Sequence, residues 1–309
     1  MSERVRVSVV MTAPEDRAGF AAALRAALAS DLRELEVVVV ENGPTEHQGA
    51  DVEDPRVVRV RMRPGQRVLR LRNVGIARAR APYVALLDPD DLLRPDKLSA
   101  TVSALDRNPE AGFAFSDFEC IDGSGRVIQA SAIADYANFR TVTHEALDGN
   151  WRLIRHESLA RGLLYENFIG TSGVVMRRHL LSEIGPFDEG AGCCADLDFW
   201  FRLARRGDAL YCSEAGYAHY HRPGARKLDT RAARMGCIAV LRRERERWSD
   251  RAARRLLDRA IAGNLACIAD DERQRGSRVR SAATFASAFA ASPDVRWLRR
   301  MLGSFLSLS

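Results

Sequence analysis

Residues 83–91 read Tyr83-Val84-Ala85-Leu86-Leu87-Asp88-Pro89-Asp90-Asp91, so an apolar run ends abruptly in a group of carboxylates. A run that is apolar on both faces is typical of a parallel strand covered by helices on both sides. We therefore predict a buried strand over Tyr83–Leu87 that ends at Asp88.

Similar apolar runs precede this stretch, and Ala- and Leu-rich helical patterns lie between them. The predicted strands are Val5–Met11, Leu35–Val40 and Val57–Val60, and the predicted helices are Gly19–Leu28 and Val74–Arg80. This alternation predicts an α/β fold with a doubly wound, mostly parallel sheet flanked by helices. Such sheets bind ligands beyond the carboxyl ends of their strands, so we expect the chemistry in the loops after Met11, Val40 and Leu87.

The pattern is less regular in the rest of the chain. Residues 130–163 have weak periodicity and receive no assignment. The other predicted elements are a strand pair over Phe113–Cys120 and Val127–Gln129, strands over Gly173–Arg177 and Ala209–Tyr211, a helix over Ala195–Arg206, and helices within residues 228–271 and 281–309.

The basic charge of the chain is concentrated near its end. The 309 residues are 46% apolar and 28% charged, which is ordinary for a globular protein. Residues 223–309 contain 19 Lys and Arg against 9 Asp and Glu, a net charge of +10, whereas residues 1–222 carry a net charge of −4. A basic segment raises nucleic-acid binding as a hypothesis, but this one lacks a recognised nucleic-acid fold and interleaved aromatic residues. We therefore predict no nucleic-acid partner and a helical C-terminal extension.

The cysteines and the N-terminus indicate a location in the cell. The six cysteines show neither CxxC spacing nor a nearby His in zinc-ligand register, so we expect most of them to be buried thiols in a reducing compartment. The N-terminus lacks the apolar region and cleavage site of a signal peptide. No stretch approaches the length of about 18 apolar residues that spans a membrane. These features predict a cytoplasmic protein.

The carboxylates of Asp88, Asp90 and Asp91 would repel one another without a partner. A hard divalent cation, Mn²⁺ or Mg²⁺, resolves the repulsion by taking one or two carboxylates together with substrate phosphates and water. The alternative is a loop in which Asp91 caps the helix that follows.

The chain resembles the family-2 glycosyltransferases of GT-A fold over about residues 5–222, through several segments in the same order. The segments are Val7–Glu15, Glu36–Thr45, Arg72–Ala79 with its Arg-Asn-x-Gly pattern, Tyr83–Asp91, and Ile184–Glu189 with Ala195–Leu203. The resemblance implies an inverting, metal-dependent transfer of a sugar from a nucleotide-diphosphate sugar to an acceptor hydroxyl. It also implies a catalytic domain over 1–222, with a nucleotide-sugar half at about 1–115 and an acceptor half at about 116–222, followed by the extension 223–309.

The resemblance assigns roles to individual residues. Asp88 is expected to contact the ribose and Asp90 the Mn²⁺ or Mg²⁺ ion. Asp196 matches the family's catalytic base, with a plain N-cap as the alternative, and Asp198 should face a structural partner. His219 and His221 lie where the family often has a His on the metal or the leaving phosphate, and His221 fits that place better.

Nucleotide recognition is expected from Thr12, Glu15, Glu41 and Arg72. A carboxylate can accept the imide N–H of uracil, so a UDP-sugar is the favoured donor. The chain departs from the family pattern at residues 12–15, at residues 41–44 and at Ala195, which replaces an acidic residue. These departures motivate an alternative, a catalytically altered GT-A module that binds a nucleotide or a partner.

The acceptor and the location follow less directly. The family implies a glycan, lipid-linked or small-molecule acceptor. Residues 295–306 place apolar residues at helical spacing with Arg between them. Such a segment could bind peripherally to the inner membrane face, or dock on the protein's own core or on a second subunit in a homodimer. We favour core or subunit docking because the segment is short.

Overall fold

The computed structural model describes residues 4–13, 19–43, 52–136, 138–220 and 231–306. Two candidate site residues, Glu15 and His221, lie outside these ranges. The chain forms two compact units, Met1–Phe187 with Phe199–Ala225, and Asp188–Asp198 with Arg226–Ser309. The predicted boundary between residues 222 and 223 also falls outside the described residues and stays a prediction.

The first unit is built on one sheet, which has eleven strands within the described residues. They are β1 (Val7–Ala13), β2 (Leu35–Asn42), β3 (Val57–Met62), β4 (Tyr83–Leu87), β5 (Asp91–Leu93), β6 (Ala111–Ile121), β7 (Val127–Gln129), β8 (Glu145–Ala146), β9 (Trp151–Ile154), β10 (Val175–Arg177) and β11 (Asp208–Tyr220). Their order is β3-β2-β1-β4-β10-β6-β11-β9-β8, with β5 paired to β11 and β7 to β6. Strands β1 to β4 pair in parallel, which confirms the predicted α/β sheet.

Helices flank this sheet and bury its apolar strands. They are α1 (Phe20–Leu28), α2 (Val68–Arg78), α3 (Lys97–Arg107), α4 (His156–Tyr165), α5 (Arg178–Ile184) and α6 (Ala195–Ala204), whose first residues belong to the second unit. Gly75 explains how α2 approaches the sheet, because a Cβ there would lie 2.5 Å from Val10 Cγ1 and 3.1 Å from Val40 Cγ2. Only glycine allows this approach without displacing the valines.

The second unit is helical, as predicted. Its helices are α7 (Arg231–Arg247), α8 (Arg251–Gln274), α9 (Arg278–Ala291) and α10 (Val295–Leu306). Trp297 and Met301 of α10 pack on a small core formed by Ala266, Ala269 and Phe285. Part of α10 therefore docks on the core of its own unit, which confirms the core half of the favoured alternative, core or subunit docking.

Helix α10 also leaves three apolar residues exposed, Val295, Leu298 and Leu302. Contact of this surface with a membrane or a second subunit stays a prediction. Among the residues that the structure describes, no helix is both long and apolar enough to cross a bilayer.

The prediction that most of the cysteines are buried thiols is wrong. Cys194 and Cys237 form a disulfide, and Cys193 and Cys267 are exposed. The bridged residues are 43 positions apart, so no local spacing indicates the pair. Gly236 allows the approach, because a Cβ there would lie 2.6 Å from the carbonyl oxygen of Ala191.

Candidate active site

The carboxyl ends of three parallel strands meet at one edge of the sheet. Met11 of β1 is in register with Leu87 of β4, and Ala13 of β1 with Glu41 of β2. Thr12 lies within β1 and is buried. The structure thus brings Thr12, Glu41 and the start of the Asp88–Asp91 loop to the same edge, as the strand pattern predicted.

Arg72 holds the first carboxylate of the loop. Its Nη2 lies 2.7 Å from Asp88 Oδ1, and its guanidinium stacks 5.1 Å from the centroid of the Phe187 ring. Asn73 holds the backbone of Phe187 in place. The Asn73 side chain donates to the Phe187 carbonyl (2.9 Å) and accepts from the Phe187 N–H (2.8 Å). The Arg-Asn pair of α2 therefore positions Asp88, which itself stays partly exposed.

Asp91 is the buried centre of a second set of bonds. Its Oδ2 accepts from Ser172 Oγ (2.6 Å) and its Oδ1 from His219 Nδ1 (2.8 Å). Ser172 Oγ also accepts the N–H of Asp88 at 3.0 Å. The N-cap of α3 is Asp96, so the alternative in which Asp91 caps the next helix is not what the structure shows.

Burial raises the pKa of Asp91, and the hydrogen bond from His219 opposes that effect. The same bond raises the pKa of His219. The hydrogen bond from His219 therefore holds the loop from β11, in addition to the hydrogen bond from Ser172. Sequence reasoning ranked His219 below His221 and did not single out Ser172.

Lys97 holds the backbone of Ser172 through a hydrogen bond. It is buried at 4% exposure, and its Nζ donates to the Ser172 carbonyl at 3.0 Å. Burial away from water lowers the pKa of Lys97 to about 7. The ammonium form is thus costly in the folded chain at neutral pH.

This cost predicts a pH dependence of stability. Above the folded pKa of about 7 the unfolded chain binds more protons at Lys97 than the folded chain does, so stability should rise with pH up to the unfolded value of 10.5. We expect this residue to add about 2 kcal/mol to the unfolding free energy between pH 7 and pH 9. Urea titrations at pH 7 and pH 9 measure the unfolding free energy at each pH, and Lys97→Met should lack this increment. An equal increase of the unfolding free energy with pH in the wild type and in Lys97→Met would contradict the assignment.

Glu41 is fully buried at the end of β2 and faces two arginines of β3. Its Oε1 accepts from Arg59 at 2.8 Å, and Arg61 Nε lies 3.6 Å from its Oε2. The three residues line a cavity of about 540 Å³ together with Val52 and Asp54. The sequence did not lead us to predict Arg59 and Arg61 as partners of Glu41. The signal would have been the register of β2 and β3, which places Arg61 opposite Glu41.

Asp196 lies in the second unit, in the first turn of α6, and is half-buried. Asp198 behaves as predicted for a structural carboxylate, because it is buried and accepts from Arg243 Nη2 at 3.2 Å. Trp200, two residues further on, is fully buried. The catalytic role of Asp196 stays a prediction from the sequence match.

Known proteins resemble this chain in sequence and in fold. The family model "Glycosyl transferase family 2" matches residues 8–185. The succinoglycan biosynthesis protein ExoO of Rhizobium meliloti is 28% identical over 207 residues, which cover 66% of this chain and 57% of that protein. The uncharacterized protein y4gI of Sinorhizobium fredii is 31% identical over 155 residues, 50% of this chain and 14% of that protein. The chain thus spans only part of each of these relatives.

Solved glycosyltransferases share the fold. The structure of S. aureus TarS 1-349 superposes with a TM-score of 0.60 at 17% identity and covers 93% of this chain and 81% of that chain. The mannosyltransferase PcManGT from Pyrobaculum calidifontis, in complex with GDP-Man and Mn²⁺, has a TM-score of 0.55 at 16% identity, with coverage of 100% and 82%. The strand order and the family match lead to one conclusion: this chain has a GT-A fold and belongs to glycosyltransferase family 2.

Proposed function

We propose that this glycosyltransferase moves a sugar from a nucleotide-diphosphate sugar, a UDP-sugar, to a hydroxyl of a glycan with inversion at the anomeric carbon. The observation that carries the proposal is the Asp88–Asp91 loop. Arg72 holds its first carboxylate, and Ser172 and His219 hold its last one, at the edge where the parallel strands end. A loop fixed at both ends is pre-organised for a charged ligand.

The loop suits a hard divalent cation. Asp88 and Asp90 are partly exposed carboxylates, and carboxylate oxygens are the ligands that Mn²⁺ and Mg²⁺ prefer. Asp90 would hold the ion, with His221 as a further ligand. A bound ion would offset the negative charge that develops on the leaving diphosphate.

The ends of β1 and β2 are proposed to hold the nucleotide, with Thr12 and Glu41 among its contacts and Glu41 near the base. Glu15, which lies outside the described residues, stays a predicted nucleotide contact. In the cavity beside Glu41, Arg59 already neutralises the carboxylate, and the space of about 540 Å³ could admit a pyrimidine. Arg72 would act through Asp88, orienting that carboxylate toward the ribose. TarS has been solved in complex with UDP and with UDP-GlcNAc, which supports uracil as the base to test first.

Asp196 is proposed as the general base. The acceptor hydroxyl loses its proton as it attacks, and a carboxylate can take that proton without becoming covalently bound. A single displacement of this kind inverts the anomeric centre. The relation to a succinoglycan biosynthesis protein supports a growing polysaccharide as the acceptor class.

A thermal-shift panel tests donor class and metal dependence together. We expect UDP and UDP-sugars with Mn²⁺ to raise the melting temperature, with a stabilisation of about 2.7 kcal/mol when the ligand is at 100 times its Kd. GDP with Mn²⁺, and UDP with a chelator, should shift it much less. Equal shifts with GDP would remove the assignment of uracil, and no shift with any nucleotide would favour a module that has lost donor binding.

A further inference from the structure

Three cysteine sulfurs lie together in the helical unit. Cys194 and Cys237 are bridged, and Cys193 Sγ lies 3.2 Å from Cys237 Sγ. All three sulfurs are within 4.8 Å of one another. The third thiol therefore touches a disulfide that it does not belong to.

The same bridge is one of several links between α7 and the segment Asp188–Asp198. Gly236 packs against the carbonyl of Ala191, and Arg243 Nη2 lies 2.8 Å from Asp188 Oδ2 and 3.2 Å from Asp198 Oδ1. These links fix the segment on both sides of residues 193 and 194. Helix α7 is thus the support of the segment that contains Asp196.

We propose that Cys193, Cys194 and Cys237 form a thiol–disulfide exchange site that reacts with small-molecule thiols and disulfides. In the internal step the thiolate of Cys193 attacks Cys237 Sγ, the Cys194–Cys237 bond breaks, and Cys194 leaves as a thiolate. The proton lost by Cys193 passes through solvent to Cys194, so no oxidant or reductant is consumed.

Cys193 is the cysteine of the three that small molecules in solvent can reach. Cys237 is buried at 4% exposure and Cys194 is half-buried, whereas Cys193 is exposed. After the internal exchange the bridge contains the exposed Cys193 sulfur, which an external thiol can attack. Attack there opens the bridge and leaves a mixed disulfide on Cys193, and a second thiol releases it as the external disulfide.

The exchange should also change the placement of Asp196, which follows Cys194 by two residues. This consequence rests on the proposed role of Asp196 as the base. A bridge to Cys237 holds the segment on α7, and the oxidised chain should therefore be more active than the reduced one. The reduced chain loses this covalent link and keeps the contacts of Arg243 and Gly236. The exchange itself does not depend on any activity.

Differential alkylation tests the exchange. Trypsin leaves Cys193 and Cys194 on residues 179–202 and Cys237 on residues 235–242, and fragmentation shows which of the vicinal cysteines carries the label. We expect both bridge forms in the full chain equilibrated with oxidised and reduced glutathione. Cys193→Ser should contain only the Cys194–Cys237 bridge and lose it to reduced glutathione about tenfold more slowly.

Cys267→Ser is the matched control, because Cys267 is another exposed cysteine of the same unit. It should react like the wild type. A single bridge form in the wild type, or equal reduction rates in wild type and Cys193→Ser, would overturn the proposal.

A separate assay tests the link to Asp196. Reduction of the wild type should lower kcat by about tenfold with little change in the donor KM, since small displacements of a catalytic group are costly. Reoxidation should restore it, and Cys237→Ser should be low and insensitive to redox. Two bridge forms with an unchanged kcat would overturn only this link, and an inactive wild type would count against the proposed function.

Discussion

Replacing Asp196 with Asn is expected to lower kcat by about 10²- to 10⁴-fold, the range that a positioned general base contributes. The carboxamide has nearly the shape of the carboxylate but cannot take the proton of the acceptor hydroxyl. Asp196 is half-buried in the first turn of α6, where Asn is also accommodated, so folding should be retained. The measurement is single-turnover transfer with a saturating UDP-sugar and Mn²⁺.

Donor binding separates this role from a structural one. The Kd of UDP with Mn²⁺ should stay within about twofold of the wild type, because binding that is uniform in ground and transition states does not involve the base. Glu110→Gln makes the same chemical change, carboxylate to carboxamide, at an exposed turn and should leave both kcat and the Kd of UDP unchanged. Turnover of Asp196→Asn near the wild-type value would refute the assignment, and a lost donor affinity would show that the substitution disturbs the fold.

The parts of the fold that sequence reasoning predicted are those where local pattern and burial agree. Strands β1, β2 and β4 are apolar on both faces, and each is almost fully buried. Their ends could therefore be placed at one edge before any contact was known. The carboxylates that follow Leu87 were found for the same reason.

The missed parts depend on pairing between distant segments. Strand β11 was predicted only over Ala209–Tyr211, yet it continues to Tyr220 through a polar stretch with irregular register. Pairing with β6 and β5 maintains this extension and sets His219 opposite Asp91. No local periodicity contains that information, so His219 was ranked below its neighbour.

The same limit applies to the disulfide and to Glu41. Cys194 meets Cys237 only because Gly236 lets α7 approach residue 191. Glu41 was expected to recognise the base, and the structure adds Arg59 as its ion-pair partner from the next strand. Motifs thus located the candidate residues, but their partners come from tertiary packing.

The second large effect is expected at the metal site. Asp90→Ala should remove most of the Mn²⁺-dependent part of UDP binding, because Asp90 is the proposed ligand of the ion, which would offset the charge of the diphosphate. We expect a loss of about 10²-fold in affinity when Mn²⁺ is present, comparable to the loss of one strong electrostatic contact. In the presence of a chelator the variant and the wild type should bind UDP equally.

Calorimetric titration of each protein with UDP, with Mn²⁺ and with a chelator, measures these affinities. Asp96→Ala provides the matched control. Asp96 is an exposed carboxylate at the N-cap of α3, a few residues further along, and its side chain makes no capping hydrogen bond. Its removal changes the net charge of the region by the same amount as Asp90→Ala, so a general electrostatic effect of Mn²⁺ would weaken both variants alike. A loss confined to Asp90→Ala identifies a specific ligand. Equal losses would instead mean that the cation acts through the field of the acidic loop, and the assignment of Asp90 would be withdrawn.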